Sequence, residues 1–162
     1  SLICFQALAT EIPKPVTKNF DQAFLIGSDQ LKFLGMKVYD IALWGEDTKF
    51  SYDKKFAIQI RYNMNFDREE LAKRSLEEIE RLHDLRESTK ASYLKQLINI
   101  FHSVKKGDEK IALFSPQDGV LMFYNGDLVG KISDKELARL FVDIWLDERG
   151  SYPKITKKLL NK

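Results

Sequence analysis

Cysteine is almost missing from this chain: Cys4 is the only one. That excludes an internal disulfide and a zinc site built on thiolates. Histidine is scarce as well. His83 and His102 are the only two, they fall on different predicted helices, and their spacing is not that of metal ligands. No apolar run is long enough to span a bilayer. Neither sign of charge dominates, since 26 Lys and Arg stand against 24 Asp and Glu, a net +2. The two signs are interspersed, which argues against nucleic acid as the main partner, because phosphate binding requires a concentrated basic face. No glycine-rich loop follows a strand and opens a helix, so a nucleotide fingerprint is missing. A Gly-x-Ser-x-Gly elbow is missing too. There is no low-complexity linker and no internal repeat.

What is there suits a single folded unit. A length of 162 residues is one ordinary domain, long enough to bury a core without metal or disulfide help. Apolar residues make up 44% and charged residues 31%, a balance typical of soluble proteins. The start, "SLICFQALATEIP", has an apolar run and then Ala7-Leu8-Ala9 before Thr10. This is the small-x-small pattern read by signal peptidase. Residues 1–9 are therefore expected to be the remnant of a secretion signal, and residues 10–162 the domain proper, exported to the periplasm or beyond. The alternatives are a first β-strand or a disordered end. A lone cysteine inside a removed segment agrees with an oxidising compartment.

The periodicity sets the order of elements. "LIGSDQLKFLGMKVYDIALW", residues 25–44, reads as two strands joined by a polar turn. Around Ile12, Pro13 and Pro15 suggest an edge strand. In "KVYDIALW", Tyr39, Ile41 and Leu43 share one face and Val38, Asp40, Ala42 and Trp44 the other. In "KKFAIQIRY", Phe56, Ile58, Ile60 and Tyr62 alternate with Ala57, Gln59 and Arg61. The period then becomes helical. Asp67 with Glu70 forms a capping box, Phe66 with Leu71 a staple, and Ala72, Leu76, Ile79 and Leu82 a stripe. A second helix is predicted after Ser88, with Leu94, Leu97, Ile98, Phe101 and Val104 inward and Gly107 as terminator. Strands return at "EKIALFSP", "GVLMFY" and "DLVGKI", the last two joined by an Asn125-Gly126 hairpin turn. Ser133 with Glu136 reads as a second capping box, opening a helix with Leu137, Phe141, Ile144 and Trp145 inward. A last helix follows Pro153. Strands, two helices, strands and two helices make an α+β fold, with an antiparallel sheet carrying helices on one face.

Few residues stand out chemically. His83 near a helix end favours the dipole. His102 lies beside an apolar stripe, where it is either interfacial or placed to line a pocket or ligate haem. The pairs Glu69-Glu70 and Glu77-Glu78 read as solvated helix surface. Tyr39 and Asp40 interrupt a strand. Asp40 needs solvent, a cation or a backbone donor, and Lys32 and Lys37 are the nearest cations.

Two segments together resemble the chalcone isomerase-like family, in particular its bacterial branch. One is residues 25–44; the other is "KKGDEKIALFSPQDGVLMFYNGDLVGKISDKELARLFVDIWLDERGSYPKITKKLL". It has a Gly-Asp before a strand, a hairpin, an Asn-Gly turn, a helix ending in Ile-Trp-Leu and a short last helix. The resemblance runs from about Thr10 through most of the chain. It implies an open-faced β-sandwich, a large antiparallel sheet over a helical layer with a ligand cleft between them. Family branches include plant enzymes that cyclise chalcones, plastid proteins that bind fatty acids, and non-catalytic helpers. The catalytic carry-over is poor. The place of the enzymes' arginine falls on Leu31, with Lys32 the nearest cation, and lysine lacks the planar guanidinium fork. The strand threonine falls on Tyr39. The helix tyrosine has no counterpart in residues 64–92, and a late hydroxyl residue aligns near Asp143.

The resemblance therefore implies a non-catalytic protein that holds a small hydrophobic ligand, with no catalytic residues, no metal and no resident cofactor. The expected ligand is a fatty acid, a related amphiphile or haem. Expected ligand-binding residues are Leu31, Lys32, Phe33, Met36, Tyr39 and Asp143. The alternatives are an isomerase or intramolecular lyase using Tyr39 and Lys32 in a rearranged cleft, and a protein-interaction module with a collapsed cleft. No nucleic acid and no transmembrane segment are expected, and the oligomeric state is left open.

Overall fold

Period-two alternation puts the large apolar side chains of six segments on one side, and pairing those segments gives the backbone amides between neighbouring strands their partners. In the computed structural model, which describes residues 11–162, they form one antiparallel sheet. Its strands are β1 (Phe24–Phe33), β2 (Met36–Gly45), β3 (Phe56–Tyr62), β4 (Glu109–Ser115), β5 (Gly119–Tyr124) and β6 (Asp127–Ile132). Spatial order equals chain order. Five helices accompany them: α1 (Lys14–Asn19), α2 (Arg68–Leu82), α3 (Glu87–Ile100), α4 (Lys135–Leu146) and α5 (Pro153–Leu159). The architecture is α+β, as the order of periods predicts.

The main core lies between the inner sheet face and helices α2–α5. Ile41, Leu43, Phe56, Ile58 and Met122 of the sheet meet Ile79, Leu97, Phe141, Ile144 and Leu159 of the helices. The outer face is not bare. Val16 and Phe20 lie against Ala42, Trp44, Ala57, Ile111 and Leu113 in a second apolar cluster. Trp44 Nε1 donates to Gln59 Oε1 at 2.8 Å, and Gln59 Nε2 donates to Glu109 Oε2 at 2.8 Å. That chain satisfies a glutamine buried in the middle of the sheet.

Local chemistry explains several boundaries. The capping box of Asp67 and Glu70 forms at the start of α2. Phe33 pairs with Met36, so the β1–β2 turn is Leu34-Gly35, with φ of 50° and 78°. The expected polar turn is thus an apolar one, and Ser28, Asp29 and Gln30 belong to β1. Asn125-Gly126 makes the hairpin predicted for it, with φ of 48° and 89°. Primed turns require positive φ at both positions.

Three boundaries differ from the sequence reading. Pro13 and Pro15 do not mark an edge strand but open α1, Pro13 as its N-cap; a helix start needs neither of their missing amide protons. Helix α3 ends at Ile100. Val104 instead bridges Phe66, with their amides and carbonyls exchanging bonds of 3.0 and 2.9 Å. Gly107 therefore serves the turn into β4. The cap of α4 is Asp134, whose carboxylate accepts from Leu137 N at 3.1 Å. Glu136 is turned away to accept from Tyr93 Oη at 2.8 Å, tying α4 to α3.

Helix α5 lies directly on β1. A Cβ at Gly27 would stand 2.1 Å from the Lys158 carbonyl oxygen. Gly27→Ala should therefore cost roughly 1–3 kcal/mol by overpacking, read as a lower urea midpoint. Gly35→Asn, in open space at a φ that asparagine tolerates, should cost less than about 1 kcal/mol.

Candidate functional site

The helical layer does not fill the inner face completely. A cavity of about 850 Å³ remains between the sheet and helices α2 and α4, within the usual size of small-molecule sites. Its floor is built by period-two residues of β3 and β4: Ile58, Ile60, Tyr62, Lys110 and Ala112. Its roof comes from Leu71, Arg74, Ser75 and Glu78 of α2 and from Phe141, Ile144 and Trp145 of α4. Phe101, at the end of α3, and Tyr152, before α5, complete it. Towards the β1–β2 hairpin the lining becomes exposed, with Phe33 at 68%, Leu34 at 86% and Met36 at 59%. The opening is on that side.

Polar groups are few and sharply placed. Tyr39 Oη accepts from Trp145 Nε1 at 2.9 Å, which links β2 to α4. Burial pushes the Tyr39 and Tyr62 hydroxyls far above the ordinary tyrosine range, so both stay protonated. Arg74 Nη2 donates to Tyr152 Oη at 3.3 Å, and its Nε stands 3.2 Å from Glu78 Oε1. Arg81 Nε approaches the same oxygen at 3.6 Å. The third group is Lys110, 6% exposed. Its Nζ lies 4.5 Å from the centroid of the Phe101 ring and 5.9 Å from that of Tyr62. Burial pulls its pKa down to about 7, against a weaker upward pull from Asp108.

The structure gathers five of the six expected binding residues. Leu31, Lys32, Phe33, Met36 and Tyr39 all line the cavity, the first four on its hairpin side. Asp143 does not line it. Two residues from Phe141, it points about 200° round the helix, where it accepts from Tyr52 Oη and, at 3.3 Å, from Arg139 Nε. The Arg139 guanidinium stacks 3.3 Å over the Tyr52 ring. The Asp143 charge is thus spent on that cluster and not on the cleft. Asp40 finds Lys37 at 2.8 Å. His102 is exposed and stacks on Tyr124, with 5.1 Å between centroids; it is not where a pocket or haem ligand would stand. His83 is the C-cap of α2. Among the described residues, no three His, Cys, Asp or Glu side chains gather as a metal site, and no helix is long and apolar enough to cross a membrane.

Sequence reasoning missed Lys110, Arg74, Glu78 and Tyr152. Glu78 is not the solvated charge expected of it, because it is 3% exposed under two arginines. For Lys110 a sign was available. In "EKIALFSP" it shares the phase of Ala112 and Phe114, the inward face of β4.

Lys110 makes stability pH-dependent. Its ordinary pKa is 10.5 and its folded value about 7, so between them the unfolded chain holds the extra proton. Raising pH in that window favours the folded state. Urea unfolding from pH 7 to 9 should show a contribution rising by up to about 1.4 kcal/mol per pH unit. Lys110→Met should remove that rise; equal slopes in both proteins would contradict the assignment.

A family model described as chalcone isomerase-like matches residues 19–161. In shape the chain is similar to the crystal structure of a fatty-acid binding protein of Arabidopsis thaliana, with a TM-score of 0.65 and 13% identity over 87% of this chain and 88% of that one. At that identity the likeness concerns the fold. No curated protein matches the chain. The sheet order, the helical layer and the family match over most of the sequence lead to one conclusion: the chain belongs to the chalcone isomerase-like family.

Proposed function

We propose that this protein is a non-catalytic carrier or sensor of a small hydrophobic ligand, a fatty acid or a similar amphiphile. The observation that carries the reading is the cavity of about 850 Å³ with aliphatic and aromatic walls, open beside the β1–β2 hairpin. Water in such a space makes few hydrogen bonds, so an alkyl chain that displaces it gains roughly 0.8 kcal/mol per buried CH₂. Part of that gain is lost to immobilising the ligand. The similarly shaped Arabidopsis protein, itself a fatty-acid binding protein, supports the same reading. So does the resemblance that matches Leu31 to the arginine of the cyclising enzymes. Leucine offers an attacking phenolate no charge and no donor. Tyr39 has its hydroxyl occupied by Trp145 and burial holds it protonated, which suits a hydrogen-bonding wall better than a base.

Export belongs to the same proposal, supported by Ala7-Leu8-Ala9 before Thr10; these residues lie outside the described ones. A periplasmic fraction whose protein begins at Thr10 would bear it out, and cytoplasmic retention of the uncleaved chain would overturn it.

Native mass spectrometry of freshly purified protein, with a solvent extract and an absorbance spectrum, should reveal a retained lipid or uptake of added C12–C18 acids. Ala112→Trp, which puts a large ring on the cavity floor, should abolish uptake while leaving the far-UV circular dichroism unchanged. A clean mass with no shift on adding fatty acids or haem would overturn the reading and favour an interaction module.

A further inference from the structure

We propose that the ligand is an acid bound head-inward, with its carboxylate on Lys110 and its tail towards the hairpin, so that the cavity selects long-chain acids over matching alcohols and esters. This rests on the cavity being a ligand site.

A buried ammonium ordinarily has a counter-ion, because leaving it alone in a low dielectric is costly. Lys110 Nζ has none: among the described residues no carboxylate lies within 4 Å of it, and it makes no hydrogen bond to any side chain or carbonyl. Its neighbours on that side are the faces of Phe101 and Tyr62. Ring faces weakly attract a cation but cannot accept the three hydrogen bonds an ammonium offers. The amine therefore faces the cavity with donor capacity unspent. The Tyr62 hydroxyl lines the same space, is held protonated by burial, and has no hydrogen-bond partner among the described residues. Together they offer a carboxylate two kinds of donor from adjacent strands.

The other cations of the cavity do not compete on equal terms. Arg74 is already matched by Glu78 and engaged with Tyr152. Lys32 is exposed on the opening side. Arg61, in the opposite phase of β3, pairs with Glu109 at 3.2 Å on the outer face. Lys110 stands on the fourth strand of six, two strand spacings, or about 10 Å, inward of Tyr39. An acid held there lays its chain past Ile60 and Tyr39 towards Leu31, Phe33 and Met36. The opposite orientation would bury a methyl against a bare ammonium and put the carboxylate at the solvated rim, where exposed Lys32 is a weak partner.

The arrangement also couples binding to protons. The groups around Lys110 are Tyr62 from β3, Tyr124 across from it on β5, and Asp108 just before it in the chain; Glu78, from α2, is taken up by two arginines. Asp108 accepts from Tyr124 Oη at 2.6 Å and from the Lys105 amide at 2.8 Å, so it is committed elsewhere. A carboxylate arriving in the cavity stabilises the charged lysine, and the complex takes up a proton wherever the empty site is neutral.

The test is displacement of the neutral dye Nile red by dodecanoic acid, dodecanol and methyl dodecanoate. The acid should win over the alcohol by at least tenfold at pH 6.5, and its advantage should shrink by pH 9.5. Lys110→Met should bind acid and alcohol alike, with Lys110→Gln as a second variant should the first not fold. Lys110→Arg should keep the preference and lose its pH dependence, and Arg61→Gln, on the outer face of the sheet, should keep both. No acid preference in the wild type, or its survival in Lys110→Met, would each overturn the role of Lys110 while the carrier reading stands. Failure of all three ligands to displace the dye, with no adduct by native mass spectrometry, would overturn the carrier reading itself.

Discussion

The pairing of β3 with β4 is the constraint on which the rest of the structure depends. Between these strands the chain leaves the sheet, makes two helices and returns, yet Phe56 meets Phe114 and Ile60 meets Lys110 in unbroken antiparallel register. The stacked rings of Phe56 and Phe114, 4.7 Å apart, anchor one end of that pairing. The Phe66–Val104 bridge clamps the base of the helical excursion at the other end. With both ends held, α2 must lie over the inner face, and the side chains of α2 and α4 become the roof of whatever space is left.

The two ends of that space are treated differently. At the Phe56 end, Phe50, Tyr52, Phe56 and Phe114 form edge-to-face and stacked contacts, closed by Arg139 over Tyr52 and by Asp143. Charge, ring and hydroxyl satisfy one another there, and nothing is left over for a ligand. At the Tyr62 end the helices stand away from the floor, and the polar groups are only partly used: Tyr39 through Trp145, Arg74 through Glu78, and Lys110, among the described residues, not at all. A protein interior is normally packed as densely as an organic crystal. A space of about 850 Å³ bordered by an amine with no partner among the described residues lowers the stability of the empty protein and is the feature a bound acid would repair.

How much of this could be read beforehand depended on distance along the chain. The Asp67–Glu70 capping box and the Asn125-Gly126 turn were legible because every atom involved lies within four residues. The α4 start was misread by one residue, since Ser133 and Asp134 both make good caps and only Tyr93, on another helix, draws Glu136 away from the box. The same limit governs the site. Leu31, Lys32, Phe33, Met36 and Tyr39 were reached through a family resemblance at the hairpin. Asp143 came with them, although helix geometry turns it from the cleft. Glu78 was indistinguishable in sequence from Glu77 beside it. Burial depends on the angle at which α2 meets the sheet, which no local pattern encodes.

The sequence by itself determined which residues share a face, where the chain turns and that the sheet is antiparallel. The faces follow from the two periods of 2 and 3.6 residues, and the antiparallel sense from the order of elements and from turns too short for a crossover. Only the tertiary structure decided that the helices leave a cavity, that Lys110 faces it, and that Arg74 and Glu78 neutralise each other beside it. A charge in water costs little, and the same charge under a helix is a demand for a partner. The difference lies in the dielectric around it, and that is a property of the packed whole.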